Sequence, residues 1–521
     1  MIRLVLVVLV LCLGCGDVDS TSQVAAPQVT ADAAATDGLL TPLSTEAVAY
    51  ELFEETMTLE DGSSLTYDRG VVTVPVRRDV GAESGTLDVE FYRFRRAAEA
   101  RPGTPPIVIL HGGPGFEGLG PRLEQPGYYE NRLAPRTRIA DVIVPGQRGF
   151  GSSTATPCEP TETMTIEQAM DDEALAAVVT KATTACRAKW EAEGFDLTGL
   201  NVIEAAADVA TIAGVLGYEE IQLWGVSFGS HWAMTLIRQY PALIARATLG
   251  GLEGPDHTYD MPTDVLAALE RIAASAQASA EWAPHVPEGG WIAAYRELIA
   301  RAEREPIQVD IESPIDGEPM TVTLEADHLR QLFSGTKRYT GFRFRTDAWP
   351  RLLHELVNGE LSDETAGWIG NRLDTGLVDA AFFQLDCASG LSEERGERLR
   401  TDPAADVLGA TWLGYDTACP AWDADLGEAF RGSFRTAVPT VLVHGNWDTS
   451  TPYENAIELR PFFTDHRFVH VEGGSHGALR EAMEDVEGFA EAMSEWLGGG
   501  DFSALPERVE LPPLDWSMAE S

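Results

Sequence analysis

The sequence predicts an α/β protein: an open, mostly parallel sheet flanked by helices, with a mainly helical segment inserted before the sheet is complete. Three observations carry this. Short continuous apolar runs, among them PIVIL (Pro106–Leu110), DVIVP (Asp141–Pro145) and VPTVLVH (Val438–His444), have the pattern of strands buried on both faces. At Glu220–Pro241 the strand-forming EIQLW runs into GVSFG and then into SHWAMTLIRQYP, whose apolar residues have helical spacing. Between about Pro255 and about Thr436 the sheet pattern stops and helical patterns take over.

Gly225-Val226-Ser227-Phe228-Gly229 lies where strand meets helix, which is the arrangement of the nucleophile elbow of an α/β-hydrolase. Its two glycines allow a turn tight enough to hold a serine hydroxyl exposed in a strained position. Ser227 is the predicted nucleophile. A second G-x-S-x-G, Gly473-Gly474-Ser475-His476-Gly477, also follows an apolar run, RFVHV. Chain order separates the two. In this fold the triad runs Ser, then Asp or Glu, then His; no histidine follows His476, so Ser475 has no base downstream.

Residues 1–15, MIRLVLVVLVLCLGC, carry one arginine and an apolar run too short to span a membrane, and are built like a secretory signal. Ending in Leu13-Gly14-Cys15, the segment resembles a bacterial lipoprotein signal, which makes Cys15 the lipidation site and places the protein in the cell envelope, lipid-anchored, or else periplasmic or secreted. Residues 16–42 are small and polar and read as a disordered tether. The first part of the hydrolase core spans 43–254. Val71–Val76 and Thr86–Arg95 alternate as antiparallel strands, and PIVIL and DVIVP follow as buried ones. IEAAADVATIAGVL (Ile203–Leu216) is the crossover helix to the nucleophile strand, and RATLGG (Arg246–Gly251) is the sixth strand.

Residues 255–436 form the predicted helical cap, inserted between the sixth and seventh strands, with a β-like pair, PIQVDIES and EPMTVTLE, inside it. The second part of the core, 437–500, supplies two more strands and a closing helix, and 501–521 is a Pro-rich, acidic tail.

Asp448, on the loop GNWDTSTP after the seventh strand, and His476, on the loop after the last, join Ser227 at strand ends on one rim of the sheet, where open α/β sheets bind ligands. In this reading His476 accepts the Ser227 proton, Asp448 fixes the histidine tautomer, and the N–H groups of Gly113, in His111-Gly112-Gly113-Pro114-Gly115, and Phe228 hold the oxyanion.

With 44% hydrophobic and 23% charged residues the chain has the profile of a soluble globular protein. Its net charge of −44, with lysine at positions 181, 189 and 337 alone, repels phosphate backbones and excludes nucleic acid as a partner. A peptide or small-molecule substrate is expected, and membrane contact only through an N-terminal lipid. No metal motif or dinucleotide fingerprint is present, so no cofactor is expected. Beyond Cys12 and Cys15, the cysteines Cys158, Cys186, Cys387 and Cys419 are an even set suited to disulfides in an oxidising compartment. Three pairings are open to them, and Cys158 with Cys186 and Cys387 with Cys419 is the economical one.

HGGPG, GQRGFGSS, GVSFGS, GNWDTSTPYENA and EGGSHG together resemble the proline iminopeptidase and tripeptidyl aminopeptidase group of α/β-hydrolases, over roughly Val71 to Leu497. The resemblance implies removal of N-terminal proline, other single residues or short peptides, and cap cysteines like Cys387 and Cys419. Such enzymes bind the free ammonium through cap-side carboxylates, for which Glu253 and then Asp256 are the candidates. Gly146 stands where the group's loop has aspartate, so an ion pair with Arg148 is expected to be lost. A carboxylesterase or lipase could use the same triad, and a peptide-binding surface lipoprotein with an inactive hydrolase fold is the non-enzymatic alternative.

Overall fold

The structure is a computed structural model that describes residues 38–115, 118–153, 172–313, 317–334, 348–359, 361–362, 366, 380–409, 419–422, 424–514 and 516. The signal segment 1–15 with Cys15, the tether up to residue 37, Cys158 and part of the cap lie outside the described residues. From Thr36 to Ser521 the chain forms one compact unit.

Among the described residues ten strands make the main sheet: β1 (Ala49–Thr58), β2 (Ser64–Arg77), β3 (Gly81–Phe94), β4 (Ile107–Leu110), β5 (Val142–Pro145), β6 (Ile221–Ser227), β7 (Ile244–Leu252), β10 (Thr440–Gly445), β11 (His466–Glu472) and β12 (Arg508–Glu510). Their spatial order is β1-β2-β3-β5-β4-β6-β7-β10-β11-β12. The first three pair antiparallel, β3 meets β5 antiparallel, and everything from β5 to β12 is parallel. β4 and β5 are buried at every residue, as continuous apolar runs require. Two more strands, β8 (Ile307–Glu312) and β9 (Pro319–Leu324), form a separate hairpin. This is the α/β-hydrolase fold, with a mostly parallel sheet between helices.

Between β7 and β10 the described residues are mainly helical, with helices at Pro262–Ala278, Trp291–Arg304, Ala348–Asn358, Ala380–Ser389 and Glu393–Arg400 among them. Their core of Trp282, Trp291, Tyr295 and Trp349 also takes in Trp447 and Trp516 from outside the insertion. Cys387 and Cys419 are bonded to each other, and Cys186 is disulfide-bonded as well. Among the described residues no helix is long and apolar enough to cross a membrane.

The insertion follows the strand Arg246–Gly251 counted as sixth in the sequence; that strand is β7 because the edge strand β1 precedes those read from the sequence, and the side chains of β1 are mostly exposed and give no burial pattern to read. Two expectations need correction. The tether does not run to residue 42: from Gly38 the chain is docked. Arg238, buried on the helix Phe228–Gln239, donates through Nε to the Gly38 carbonyl at 2.8 Å and accepts the Leu40 N–H at its own carbonyl at 3.1 Å. Nor is 501–521 only a tail, since β12 adds the last strand and Val509, Leu511 and Trp516 are buried.

Gly146 offers Arg148 no carboxylate, and Arg148 pairs instead with Asp208 of the helix Val202–Val215. Its guanidinium binds both oxygens of Asp208, at 2.7 and 2.6 Å, and the carbonyls of Val76 and Gly199 at 2.8 and 2.7 Å. Arg78 joins Asp208 and Glu204 at 2.7 Å each, so two arginines and two acids close a buried network. Burial works to raise the Asp208 carboxyl, but Arg148 and Arg78 hold it below the ordinary range. A side chain at Gly146 has no room, because its Cβ would lie 2.6 Å from Ser153 Oγ.

Removing Asp208 leaves two buried guanidinium groups short of their counter-ion. Asp208→Ala is therefore expected to cost about 3–5 kcal/mol in urea unfolding; a loss below about 1 kcal/mol would mean that the network is not what holds this corner.

Candidate active site

β6 passes into the helix Phe228–Gln239 with no intervening loop, and the turn falls on Ser227. At φ 60° and ψ −133° it is the only non-glycine residue with positive φ among those described. Such backbone strain is kept where surrounding packing enforces it. Here the packing is visible: a Cβ on Gly225 would lie 2.3 Å from the Gly229 carbonyl oxygen, and one on Gly229 would lie 2.1 Å from that of Leu110. Both glycines are therefore needed for β4, β6 and the helix to approach. Ser230 Oγ donates to the Ser227 carbonyl at 2.7 Å and accepts the Glu253 N–H at 2.9 Å, tying the elbow to the end of β7.

The glycine-rich loop after β4 lies against the elbow, since a Cβ on Gly112 would stand 3.1 Å from Ser227 Cβ and 3.6 Å from its Oγ. Gln147 clamps this loop. Its Nε2 donates to the carbonyls of His111 and Gly112 at 3.0 and 3.2 Å, and its Oε1 accepts the Gly115 N–H at 2.8 Å. The neighbouring Arg148 anchors the clamp in the buried ion network. Gly113 belongs to the clamped loop, and Phe228 opens the helix, where N–H groups have no partner within the helix.

On the other side, His476 Nδ1 lies 2.9 and 3.1 Å from the two oxygens of Asp448. Asp448, fully buried, also accepts the N–H groups of Ser450 and Thr451 at 2.9 Å each and the Thr451 hydroxyl at 2.8 Å. Burial pushes the Asp448 carboxyl up, but the charge and hydrogen bond of His476 outweigh it and the acid stays below its ordinary value. For His476 burial acts downward, and Asp448, with smaller contributions from Asp260 and Glu481, brings the ring above its ordinary 6.5. Ser227 reaches the same place through β7: it stands opposite Leu252, and a Cβ on the adjacent Gly251 would be 3.1 Å from His476 Cε1. The structure thus brings Ser227, Asp448 and His476 to one rim.

Several supporting residues escaped the sequence reading. His444, fully buried and with its pKa lowered by burial, accepts the Leu252 N–H at Nδ1 (3.1 Å) and donates from Nε2 to the Thr451 carbonyl (2.8 Å), joining the strand beside Ser227 to the loop that holds Asp448. Asn446 bridges the acid and histidine loops through Glu472 and Gly473 at 2.7 and 2.8 Å. Ser475, the alternative nucleophile, is fully buried and bonded to Glu481 through its hydroxyl and its N–H. The sequence signal for Thr451 was the D-x-x-T turn; for His444 there was only its place at a strand end.

The two amine-binding candidates separate. Asp256 is engaged elsewhere, with both oxygens accepting from the N–H and hydroxyl of Ser392 at 2.6 Å, where it fixes the start of the helix Glu393–Arg400. Glu253 remains: no cation among the described residues pairs with it, and burial, then Asp386, then Asp260, push its carboxyl well above the ordinary range. Asp260 acts electrostatically on Glu253 and on His476 alike. Neither Asp260 nor Asp386 carried a sequence signal, because the second comes from the helix Ala380–Ser389, far along the chain.

Two family models match parts of the chain, one described as alpha/beta hydrolase fold over residues 105–327 and one as TAP-like protein over residues 405–497. No curated protein matches. Among solved structures, the chain is similar to a serine hydrolase from Cycloclasticus zankles (12% identity, 86% of this chain and 99% of that one, TM-score 0.35). It is also similar to a thermophilic esterase from Thermogutta terrifontis (16%, 82% and 97%, TM-score 0.31). A third is 2-hydroxy-6-oxo-6-phenylhexa-2,4-dienoate hydrolase from Rhodococcus sp. strain RHA1 (13%, 86% and 99%, TM-score 0.31). The fold and the family matches support hydrolase activity.

A histidine that must be neutral to take a proton loses that capacity as pH falls through its pKa. With the ring held above 6.5, the acid limb of kcat/KM is expected above pH 6.5. Asp448→Asn should move the limb down and lower kcat by about 10⁴-fold; a wild-type limb below pH 6.5 contradicts the pairing.

Proposed function

We propose that this α/β-hydrolase fold carries a serine aminopeptidase of the prolyl or tripeptidyl type. Ser227 attacks the carbonyl of the scissile amide, and His476 takes its proton and returns it to the leaving amine. Asp448 holds the imidazole in the Nδ1–H tautomer and stabilises the imidazolium. The N–H groups of Gly113 and Phe228 receive the oxyanion, so the acyl-enzyme forms and is then hydrolysed by water.

The observation that carries the peptidase reading is the acidic cluster. Glu253 lies at the end of β7, beside Asp260 and Asp386, and none of its neighbours among the described residues supplies a compensating cation. Glu253 gains by admitting an ammonium group, because the incoming charge restores the ionisation that burial, then Asp386, then Asp260, suppress in it. A substrate held there by its N-terminus presents a nearby amide to Ser227. The TAP-like match, which spans both Asp448 and His476, also supports the peptidase reading. An esterase would use the same triad and has no need of the cluster.

Unblocked Pro-, Ala- and Ala-Ala-Pro-anilides, their N-blocked forms and a butyrate ester separate the readings. Cleavage of the unblocked anilides, lost on blocking and abolished in Ser227→Ala, is expected. Glu253→Gln should raise KM for unblocked anilides by about 10- to 100-fold and leave ester turnover unchanged. Turnover of the ester alone would replace the peptidase reading with an esterase.

A further inference from the structure

A pocket of about 290 Å³ lies beside β11 and β12, between Tyr453, Arg460, His466, Arg467, His470 and Arg508, with Phe468 in its wall and Glu507 as the one acid among its lining residues. It is separate from the triad. The pocket flanks β11 between His466 and His470, whereas His476 stands beyond the carboxyl end of that strand. In a chain of 38 basic and 82 acidic residues, three arginines and two histidines converge on this one place.

The lining has more donors than acceptors to meet them. Arg467 is paired with Glu507 and Arg508 with Glu472, each at 2.8 Å. Arg460 has no carboxylate partner among the described residues. Its Nε donates to His466 Nε2 at 3.1 Å, and its guanidinium lies 5.3 Å from the Phe468 ring. His466 turns that nitrogen toward Arg460 because its Nδ1–H donates to the Phe463 carbonyl at 2.6 Å. Arg467 Nε and His470 Nε2 are buried without a hydrogen bond; the nearest acid to the latter, Glu472, is 3.5 Å away. Arg460, which has no carboxylate partner among the described residues, together with the unbonded Nε–H of Arg467, favours a planar or tetrahedral oxyanion, which takes several N–H donors at once. Aromatic rings of Tyr453 and Phe468 give an attached organic group an apolar surface.

We infer that this pocket binds the phosphate or carboxylate group of a small organic anion. The shared chemistry is an oxyanion on Arg460, Arg467 and Arg508, whether it arrives free or on a lipid headgroup.

Titration calorimetry of the full chain with phenyl phosphate and with benzoate, at constant ionic strength in chloride, tests this. Saturable binding of one equivalent is expected for at least one of them, weakened at least tenfold in the doubly substituted R460Q/R508Q protein. Both arginines are exposed, so the variant should fold, and its turnover at Ser227 should match the wild type. Displacement of the ligand by phosphatidylglycerol vesicles, but not by phosphatidylcholine vesicles, assigns the site to a headgroup; displacement only by soluble glycerol phosphate assigns it to a free anion. Absence of saturable binding, or equal binding by the variant, overturns the inference.

Discussion

The contact on which the rest of the site depends is that of the Gly229 backbone with the carbonyl of Leu110. Because no side chain intervenes, the helix after Ser227 sits directly on the end of β4. The same contact sets Gly112 beside the serine and fixes how far the glycine-rich loop stands from the elbow. Gln147 then holds that loop from the next strand, and Arg148 carries the restraint into a buried ion network on the crossover helix Val202–Val215. The oxyanion site proposed for Gly113 and Phe228 needs donors that do not reorganise during reaction. Here the rigidity comes from backbone contact, one amide clamp and a paired guanidinium.

Electrostatics on the other side of the serine follows from the acid excess of the chain. Asp448 collects two backbone N–H groups, a hydroxyl and His476, so its charge is satisfied despite complete burial. Glu253 is placed in the opposite situation, among acids and without a compensating described cation. Two carboxylates at one site are thereby pushed apart in acidity, one held ionised as the partner of the base and one left in want of a positive charge. Such divergence between neighbouring titratable groups is a mark of functional sites. His444 links the two sides mechanically, since one of its nitrogens meets β7 and the other meets the Asp448 loop.

Most of the fold was legible because its central strands are buried on both faces and show as unbroken apolar runs. The strand β1 was not, since its outer positions face solvent, and β12 was hidden by its shortness and by the prolines around it. Ser227, Asp448 and His476 could be read from motif and chain order, and the structure gathers them. What could not be read depends on contacts between distant segments. Asp208 supplies Arg148 with the carboxylate that the loop lacks at Gly146, and Asp256, two residues after Gly254 in the chain, turns to Ser392 instead of the site. Asp386 joins Glu253 only because a helix from the insertion folds back. Spacing in the chain reports local geometry, and these residues are placed by tertiary packing.

The most direct test of the account is covalent labelling of the full chain with a fluorophosphonate, followed by peptide mapping. One equivalent on Ser227, suppressed at acid pH and abolished by His476→Ala, is the predicted result. Label on Ser475, or none on either serine while the chain remains folded, would contradict it.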